Sequence, residues 1–192
     1  NKKIEFAEKL KNIFQTNYYS TETSNDLKGV EICGAIKNIY SILIGASEGL
    51  SNPITTDDVR AKFFLNTSAS LVHRSISEMV KFVKYYGGKP ETVYGLAGLG
   101  DLYVSAIGGR NSLLGKYLGQ GKLFKDVSSN EMKDITVEGA QLILELSDKI
   151  KKDLNDKDFP LMFSVINTIC RNEKLLISWW YINSSMSLNL LI

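Results

Sequence analysis

The longest apolar stretch of the chain runs from residue 29 to residue 50, and it limits the possible folds more than any other feature. Its length is close to the ~20 apolar residues that span a bilayer. Four of its residues, however, are charged or strongly polar: Glu31, Lys37, Asn38 and Glu48. Because a charge near the centre of a bilayer is costly, the stretch predicts the buried helix of a globular protein and no membrane span.

The periodicity of the sequence changes near residue 25. Residues 4–14 have the spacing of an amphipathic helix, and residues 18–23 are rich in aromatic and β-branched side chains, which predicts a short strand. Every later segment has a helical pattern. A helix and a strand followed only by helices predict a mainly α chain, in which residues 1–24 end an α/β unit and residues 25–192 form an all-α domain.

Capping residues and glycines set the limits of the predicted helices. Asn25 or Asp26 is expected to cap the first long helix, and Gly87 and Gly88 are expected to stop the second. A break of the second helix near Asn66 is left open. The predicted helices cover residues 25–50, 55–84, 90–93, 112–118, 129–133, 137–153, 160–171 and 175–182.

Charge and cysteine content exclude several classes of partner. The net charge is +2, which is too small to favour a nucleic-acid partner. Cys33 and Cys170 lie far apart and belong to no CxxC or Cys/His cluster, so we expect free thiols, no metal site and a reducing, cytoplasmic location. The chain starts with neither methionine nor a signal-peptide pattern, so we expect it to begin partway through a longer protein or after processing.

Lys37 is predicted to lie on the apolar face of the first long helix. At about 100° per residue, that face also carries small and apolar side chains: Val30, Cys33, Gly34, Tyr40, Ser41 and Ile44. A lysine on a buried face requires an acidic partner, loss of its proton or contact with an anionic ligand. The alternatives are a side chain that reaches the edge of the helix and a purely structural ion pair.

The glycine-rich segment at residues 95–101 has the order GxxGxG rather than GxGxxG, and no strand is predicted before it. It therefore fails as a dinucleotide-binding fingerprint, and a flexible turn is the simplest interpretation. Asp101 ends the segment, and the small hydroxyl residue Ser105 follows. An aspartate at this point could orient the ammonium group of Lys37 or a substrate hydroxyl.

The strongest chemical feature is the segment Gly108–Gly109–Arg110–Asn111. Two glycines let the backbone approach a ligand, and the helix predicted directly afterwards brings unpaired N–H groups and the positive end of its dipole. Arg110 adds a fork of donors that fits a phosphate. The segment predicts a phosphate site, and a capped helix with a solvated arginine is the alternative.

Five short stretches, in their order and spacing, give the chain a family resemblance. They are residues 29–38 (GVEICGAIKN), 95–102 (GLAGLGDL), 110–111 (RN), 118–121 (LGQG) and 137–139 (VEG). Across roughly residues 18–182, the chain resembles the C-terminal region of NAD(P)-dependent glycerol-3-phosphate dehydrogenases. The glycine-rich dinucleotide loop and a second lysine, both expected in the cofactor domain of that family, are absent from this chain.

The resemblance implies a function and a domain plan. The family reversibly reduces dihydroxyacetone phosphate to sn-glycerol 3-phosphate, a glycerophospholipid precursor, with NADH or NADPH in the cytoplasm. Residues 1–24 would be the last helix and strand of a Rossmann domain. Residues 25–192 would be the all-α substrate domain, of the 6-phosphogluconate dehydrogenase C-terminal-like type. The partners implied are a phosphorylated triose and, as an open possibility, a second copy of the chain.

The resemblance also implies roles for individual residues. Lys37 would be the catalytic lysine and would contact the substrate. The other substrate-binding residues would be Asn38, Asp101, Ser105, Arg110 and Asn111. Arg110 and Glu138 would contact the cofactor, and no metal is implied. The choice between NAD and NADP stays open, because the residue that reads the ribose lies outside this chain.

Two other functions remain open. The first is a related hydroxyacid dehydrogenase with the same two-domain plan, whose substrate carries no phosphate. The second is a helical domain that keeps the fold without activity. The chain alone is expected to be inactive, because most of the nicotinamide site lies elsewhere.

Overall fold

Helices dominate the described part of the chain. The structure, a computed structural model, describes residues 2–51 and 57–177, and its regular secondary structure within these ranges is entirely helical. The prediction of a mainly α chain is therefore confirmed. The elements in chain order are α1 (Lys2–Phe14), α2 (Leu27–Ser51), α3 (Asp57–Tyr85), α4 (Pro90–Tyr94), a π-helical turn (Leu96–Gly100), α5 (Asp101–Gly108), α6 (Arg110–Gly119), α7 (Phe124–Ser129), α8 (Glu138–Asp153) and α9 (Pro160–Cys170).

Helix α2 forms the centre of the fold. Its start is capped by Asp26, as predicted, since Asp26 Oδ1 accepts the N–H of Gly29 at 3.0 Å. Helices α3, α5, α6 and α8 pack around α2, and most of its second half is buried. By length and composition α2 could cross a membrane, but these neighbours enclose it as they would the core helix of a globular domain.

The carboxylate of Asp26 also fixes the start of α4. Its Oδ2 accepts the hydroxyl of Thr92 at 2.6 Å and the N–H of Lys89 at 2.8 Å. The hydrogen bond from Thr92, followed by that from Lys89, lowers the pKa of Asp26. One carboxylate therefore joins the beginnings of two helices. Since α4 leads through the π-helical turn into α5, this link holds α5 close to α2.

Helices α2 and α6 touch through their backbones. A Cβ atom added at Gly115 would lie 1.8 Å from the carbonyl oxygen of Ile42, and one added at Gly45 would lie 2.1 Å from that of Ser112. Gly49 and Gly119 allow the same close approach one helical turn further along. Only glycine fits at such a crossing. The crossing fixes the start of α6 relative to α2.

A buried carboxyl group connects α3 with α2 and α9. Glu78 accepts the N–H groups of Leu161 and Met162 at 2.8 and 3.1 Å, and the hydroxyl of Tyr40 at 3.2 Å. These two N–H groups belong to the first turn of α9, which has no partner for them within its own helix. Burial raises the pKa of Glu78 to about 7, although these hydrogen bonds oppose the rise.

The strand predicted at residues 18–23 is wrong, because this segment has no regular secondary structure. A strand needs a neighbouring strand to pair with its N–H and C=O groups, and no described segment provides one. The segment instead runs along α1, where Thr21 donates to the carbonyl oxygen of Lys11 at 3.1 Å and Thr23 donates to Glu8 at 2.9 Å.

Several predicted helix limits also need correction. Helix α3 runs through Asn66 without a break, and α6 begins at Arg110 rather than at residue 112. The helix predicted at residues 129–133 is wrong, because residues 130–133 form turns. Helix α7 ends at Ser129, and the side-chain amide of Asn130 donates to the carbonyl oxygen of Asp126 at 2.8 Å, which competes with helix continuation.

The remaining limits agree or lie partly outside the described residues. Helices α1, α2, α4, α8 and α9 match their predicted ranges within a few residues. Residues 175–177 of the last predicted helix are not helical. Residues 178–182 of that helix, and residues 55–56 of the second, lie outside the described residues.

Candidate active site

Lys37 and Asp101 form an ion pair between α2 and α5. The ammonium nitrogen of Lys37 contacts Oδ1 of Asp101, which lies 64 residues further along the chain. The Lys37 side chain is only 16% exposed, and that of Asp101 is 39% exposed. The side chain of Lys37 therefore turns toward the protein, and a charged acid is its partner.

The glycine-rich segment positions Asp101 through regular helical structure. Residues 96–100 form a π-helical turn that continues directly into α5, whose first residue is Asp101. A Cβ atom added at Gly98 would lie 2.1 Å from the carbonyl oxygen of Val93, so the turn packs against the end of α4. The prediction of a flexible turn at residues 95–101 is wrong, because residues 96–100 are helical. Single π-helical turns of this kind occur frequently at functional sites.

Ser105 lies on α5 four residues after Asp101, and so on the same side of the helix. It is partly buried. Among the hydrogen bonds of the described residues, its hydroxyl joins none of the other predicted site residues. The structure therefore places Ser105 beside the ion pair without connecting it to Lys37.

Arg110 and Glu138 form a second ion pair at the starts of two helices. Arg110 is the first residue of α6 and Glu138 the first of α8, and Nη2 of the arginine contacts Oε1 of the glutamate. Their side chains are 55% and 42% exposed. Solvent screens such a pair, so its net contribution to stability is small.

Asn111 is the buried centre of the hydrogen bonds that connect α2, α6 and α8. Its Nδ2 donates to Asn38 Oδ1 at 3.0 Å and to Glu138 Oε2 at 3.4 Å. Its Oδ1 accepts the N–H of Gly139 at 2.8 Å. A Cβ atom added at Gly139 would lie 2.6 Å from the carbonyl oxygen of Asn38, so glycine is required where α8 begins.

These contacts join five of the six predicted substrate-binding residues in two groups: the pair Lys37–Asp101, and Asn38, Asn111 and Arg110, of which Arg110 is reached through Glu138. Asn38 directly follows Lys37, and its side chain contacts that of Asn111, which directly follows Arg110. The site therefore has a partly buried ammonium–carboxylate pair at one end. At the other end it has a guanidinium group and the start of a ten-residue helix, which together suit an anion.

Open space lies beside Lys37 on α2. Gly34 is one helical turn earlier, and a Cβ atom added there would meet no atom within 4 Å. Within residues 2–51 and 57–177, no group of three or more His, Cys, Asp or Glu side chains is placed to hold a metal ion.

A cleft of about 1280 Å³ opens beside Arg110 and is lined by residues of α2, α3, α5 and α6. Its lining is mainly apolar, and Arg110 is the only one of the predicted site residues that reaches it. Size alone would favour this cleft as a ligand site. Apart from Arg110, the residues that form the ion pairs and side-chain hydrogen bonds of the predicted site lie outside this lining.

Two features of the site were not predicted from the sequence. The contact of Glu138 with Arg110 joins residues 28 positions apart, and no local pattern announces it. The glycine at position 139 has a faint signal, because a glycine in the first turn of a predicted helix weakens that helix and so calls for a packing reason.

Comparison with known proteins gives the same family from sequence and from structure. The family model described as NAD-dependent glycerol-3-phosphate dehydrogenase C-terminus matches residues 26–178. The chain is 37% identical over 152 residues to the NADP(+)-dependent glycerol-3-phosphate dehydrogenase of Archaeoglobus fulgidus, covering 77% of this chain and 44% of that protein. With the glycerol-3-phosphate dehydrogenase [NAD(P)+] of Lawsonia intracellularis it shares 34% identity over 167 residues, or 86% of this chain and 43% of that protein.

Solved structures of glycerol-3-phosphate dehydrogenases contain a similar fold. The glycerol-3-phosphate dehydrogenase of Coxiella burnetii superposes with a TM-score of 0.68 at 27% identity, over 96% of this chain and 52% of that chain. The glycerol-3-phosphate dehydrogenase of Plasmodium falciparum has a TM-score of 0.67 at 22% identity, over 96% of this chain and 49% of that chain, a likeness of fold alone. The chain thus spans about half the length of the relatives it matches.

Proposed function

The chain belongs to the NAD-dependent glycerol-3-phosphate dehydrogenase C-terminal family, and on that premise we propose that it is the substrate-binding and catalytic half of such an enzyme. The reaction is the reversible reduction of dihydroxyacetone phosphate to sn-glycerol 3-phosphate with NADH or NADPH. The observation that carries the proposal is the partly buried pair of Lys37 and Asp101, next in the chain to Asn38, whose side chain contacts Asn111, the neighbour of Arg110.

We assign residues 1–24 to the end of the cofactor-binding domain and residues 25–192 to the substrate domain. The apolar side chains of Phe6, Ile13 and Phe14 on α1 are more than half exposed, which leaves that face without a described partner. An amphipathic helix gains stability by burying such a face. The rest of a Rossmann domain would cover it.

Lys37 acts in this proposal as the proton donor. When bound, the nicotinamide cofactor supplies the hydride that reduces the ketone carbon. Negative charge then develops on the ketone oxygen, and the Lys37 ammonium stabilises that charge and donates its proton to the oxygen. In the reverse direction the neutral amine accepts the hydroxyl proton. Asp101 orients the ammonium, because their ion pair limits the positions that the nitrogen can take.

Arg110 and Asn111 hold the phosphoryl group of the substrate. The guanidinium group, the side-chain amide and the N–H groups at the start of α6 are all donors, and the helix dipole adds positive potential. Binding energy at this remote group positions the ketone beside Lys37. Asn38 completes the link between the two ends, and Ser105 supplies a hydroxyl along the α5 side of the substrate.

Arg110 and Glu138 also contact the cofactor in this proposal, and that cofactor is NAD or NADP. The enzyme functions in the cytoplasm and can form a homodimer. A reducing compartment agrees with two free cysteines, of which Cys33 is buried. Burial raises the pKa of the Cys33 thiol to about 11, so it remains a protonated core side chain and takes no part in catalysis.

The test is an assay of the full-length protein with NADH and with NADPH. Oxidation of the reduced cofactor should depend on dihydroxyacetone phosphate and should be far slower with unphosphorylated dihydroxyacetone. Equal rates with the two ketones would favour a dehydrogenase whose substrate carries no phosphate. No hydride transfer to any ketone would leave only a helical domain without activity.

A further inference from the structure

Both oxygens of the Glu138 carboxylate are engaged by the two side chains assigned to the substrate phosphate. Oε1 contacts Nη2 of Arg110, and Oε2 accepts a hydrogen bond from Nδ2 of Asn111. An anion therefore already lies against the donors that the proposed function reserves for a second anion. The charges of the site also cancel, since Lys37 and Arg110 contribute +2 while Asp101 and Glu138 contribute −2.

We propose that Glu138 is an intramolecular competitor of the substrate, and that the phosphoryl group binds by displacing its carboxylate from Arg110 and Asn111. This inference rests on the proposed function, because it takes those two residues to be the phosphate site. It makes Glu138 a residue that sets the affinity for the phosphorylated substrate, in addition to any contact with the cofactor.

The geometry makes the exchange easy. The Arg110–Glu138 pair is about half exposed, so Glu138 can turn into solvent without leaving a buried charge. The hydrogen bond from Asn111 to Glu138, at 3.4 Å, is the longest of the three that Asn111 makes. When it opens, the bonds to Asn38 and Gly139 at 3.0 and 2.8 Å still hold the amide in place.

The contact with Glu138 also keeps the Arg110 guanidinium ordered before the substrate binds. Without a carboxylate partner, the Arg110 guanidinium would be free to sample many rotamers, and a phosphate would have to order it on binding. Glu138 keeps the guanidinium at the start of α6, at the cost of competing with the ligand. Removing the carboxylate should still strengthen phosphate binding, because the loss of the competing ion pair and of a repulsive charge outweighs the cost of ordering one guanidinium group.

The experiment measures binding of glycerol 3-phosphate to the 192-residue chain by NMR titration at fixed ionic strength. The variants are Glu138→Gln, Arg110→Ala and the double variant, each with a circular dichroism spectrum to verify folding. Glu131→Gln is the matched control, because it removes one carboxylate from the exposed ion pair with Lys122, beyond the far end of α6. Glu138→Gln should bind about three- to tenfold more tightly than the wild type, and Glu131→Gln should bind like the wild type.

The double variant separates competition at Arg110 from a general effect of charge. With Arg110 replaced by alanine, Glu138→Gln should add little, because the partner it competes for is gone. Unchanged or weaker binding by Glu138→Gln, while Arg110→Ala loses binding, would overturn the competitor role and leave the phosphate site standing. Equal binding by Arg110→Ala and the wild type would instead reject the phosphate site and, with it, the proposed function.

Discussion

Lys37 on α2 and Asp101 on α5 form an ion pair that joins segments 64 residues apart and leaves the lysine side chain only 16% exposed. Two structural devices hold this pair. The carboxylate of Asp26 ties α2 to α4, and the π-helical turn after α4 delivers Asp101 to the first position of α5. In the proposed mechanism, this ion pair gives an orienting partner to the lysine that acts on the substrate oxygen.

Replacing Arg110 by alanine should mainly weaken substrate binding. The substitution removes charge-assisted donors, each worth about 1.5–3 kcal/mol, so KM for dihydroxyacetone phosphate should rise roughly tenfold to a hundredfold. Arg110→Lys keeps the positive charge and loses the paired donors of the guanidinium group, so its KM should lie between those of the wild type and Arg110→Ala. Steady-state kinetics of the full-length enzyme measures both. An unchanged KM in Arg110→Ala would show that this arginine does not hold the phosphate.

The stability of the chain should fall as pH rises from about 4.5 to about 7, through the titration of Glu78. Burial raises its pKa from 4.5 to about 7, so in this interval the folded chain keeps a proton that the unfolded chain has lost. The contribution is present at lower pH and is lost as pH rises through the folded pKa. The size of the effect is on the order of 3 kcal/mol.

Urea unfolding of the 192-residue chain at a series of pH values measures this slope. Glu78→Gln cannot titrate and should flatten the slope, whatever its absolute stability. Glu131→Gln is the control, since hydrogen bonding to Lys122 lowers the pKa of Glu131 and places its titration below the interval. The same steep slope in Glu78→Gln as in the wild type would assign the pH dependence to another group.

Alanine at position 139 should destabilise the chain, because its Cβ would lie 2.6 Å from the carbonyl oxygen of Asn38 and 2.8 Å from Oδ1 of Asn111. Crowding of this kind typically costs about 1–3 kcal/mol. Gly34→Ala is the matched control: nothing lies within 4 Å of its added Cβ, and alanine favours a helix interior by up to about 1 kcal/mol. Urea unfolding should give a larger free energy of unfolding for Gly34→Ala than for Gly139→Ala. The reverse order would mean that the start of α8 does not pack against Asn38 and Asn111 in solution.

The sequence predicts the helices well where local rules decide them. Asp26 is a strong capping residue directly before an apolar run, and Pro160 suits the first turn of a helix, so α2 and α9 begin where expected. The strand at residues 18–23 fails because aromatic and β-branched side chains favour a strand only when a neighbouring strand exists. Pairing of that kind lies beyond any local pattern.

For the candidate site, the sequence suggests the contact of Asp101 with Lys37 but not the contacts that Glu138 makes. Lys37 on an apolar face and Arg110 after two glycines are visible as local anomalies. The contacts of Glu138 and Glu78 are long-range, because each joins helices far apart in sequence. The sequence carries one signal for Glu78, which shares a helix face with Leu71, Ser75 and Phe82. These three residues are buried, and an acid on a buried face requires hydrogen-bonding or charged partners.

The most direct test of the account is the turnover of the full-length enzyme with Lys37 replaced by alanine. Lys116→Ala is the matched control, because it removes a lysine that also pairs with a carboxylate, Glu48, and is itself about one-third exposed. Loss of the proton donor should lower kcat by roughly a hundredfold or more while NAD(H) binding persists, and Lys116→Ala should keep most of its activity. A kcat for Lys37→Ala close to that of the wild type would contradict the catalytic role of Lys37.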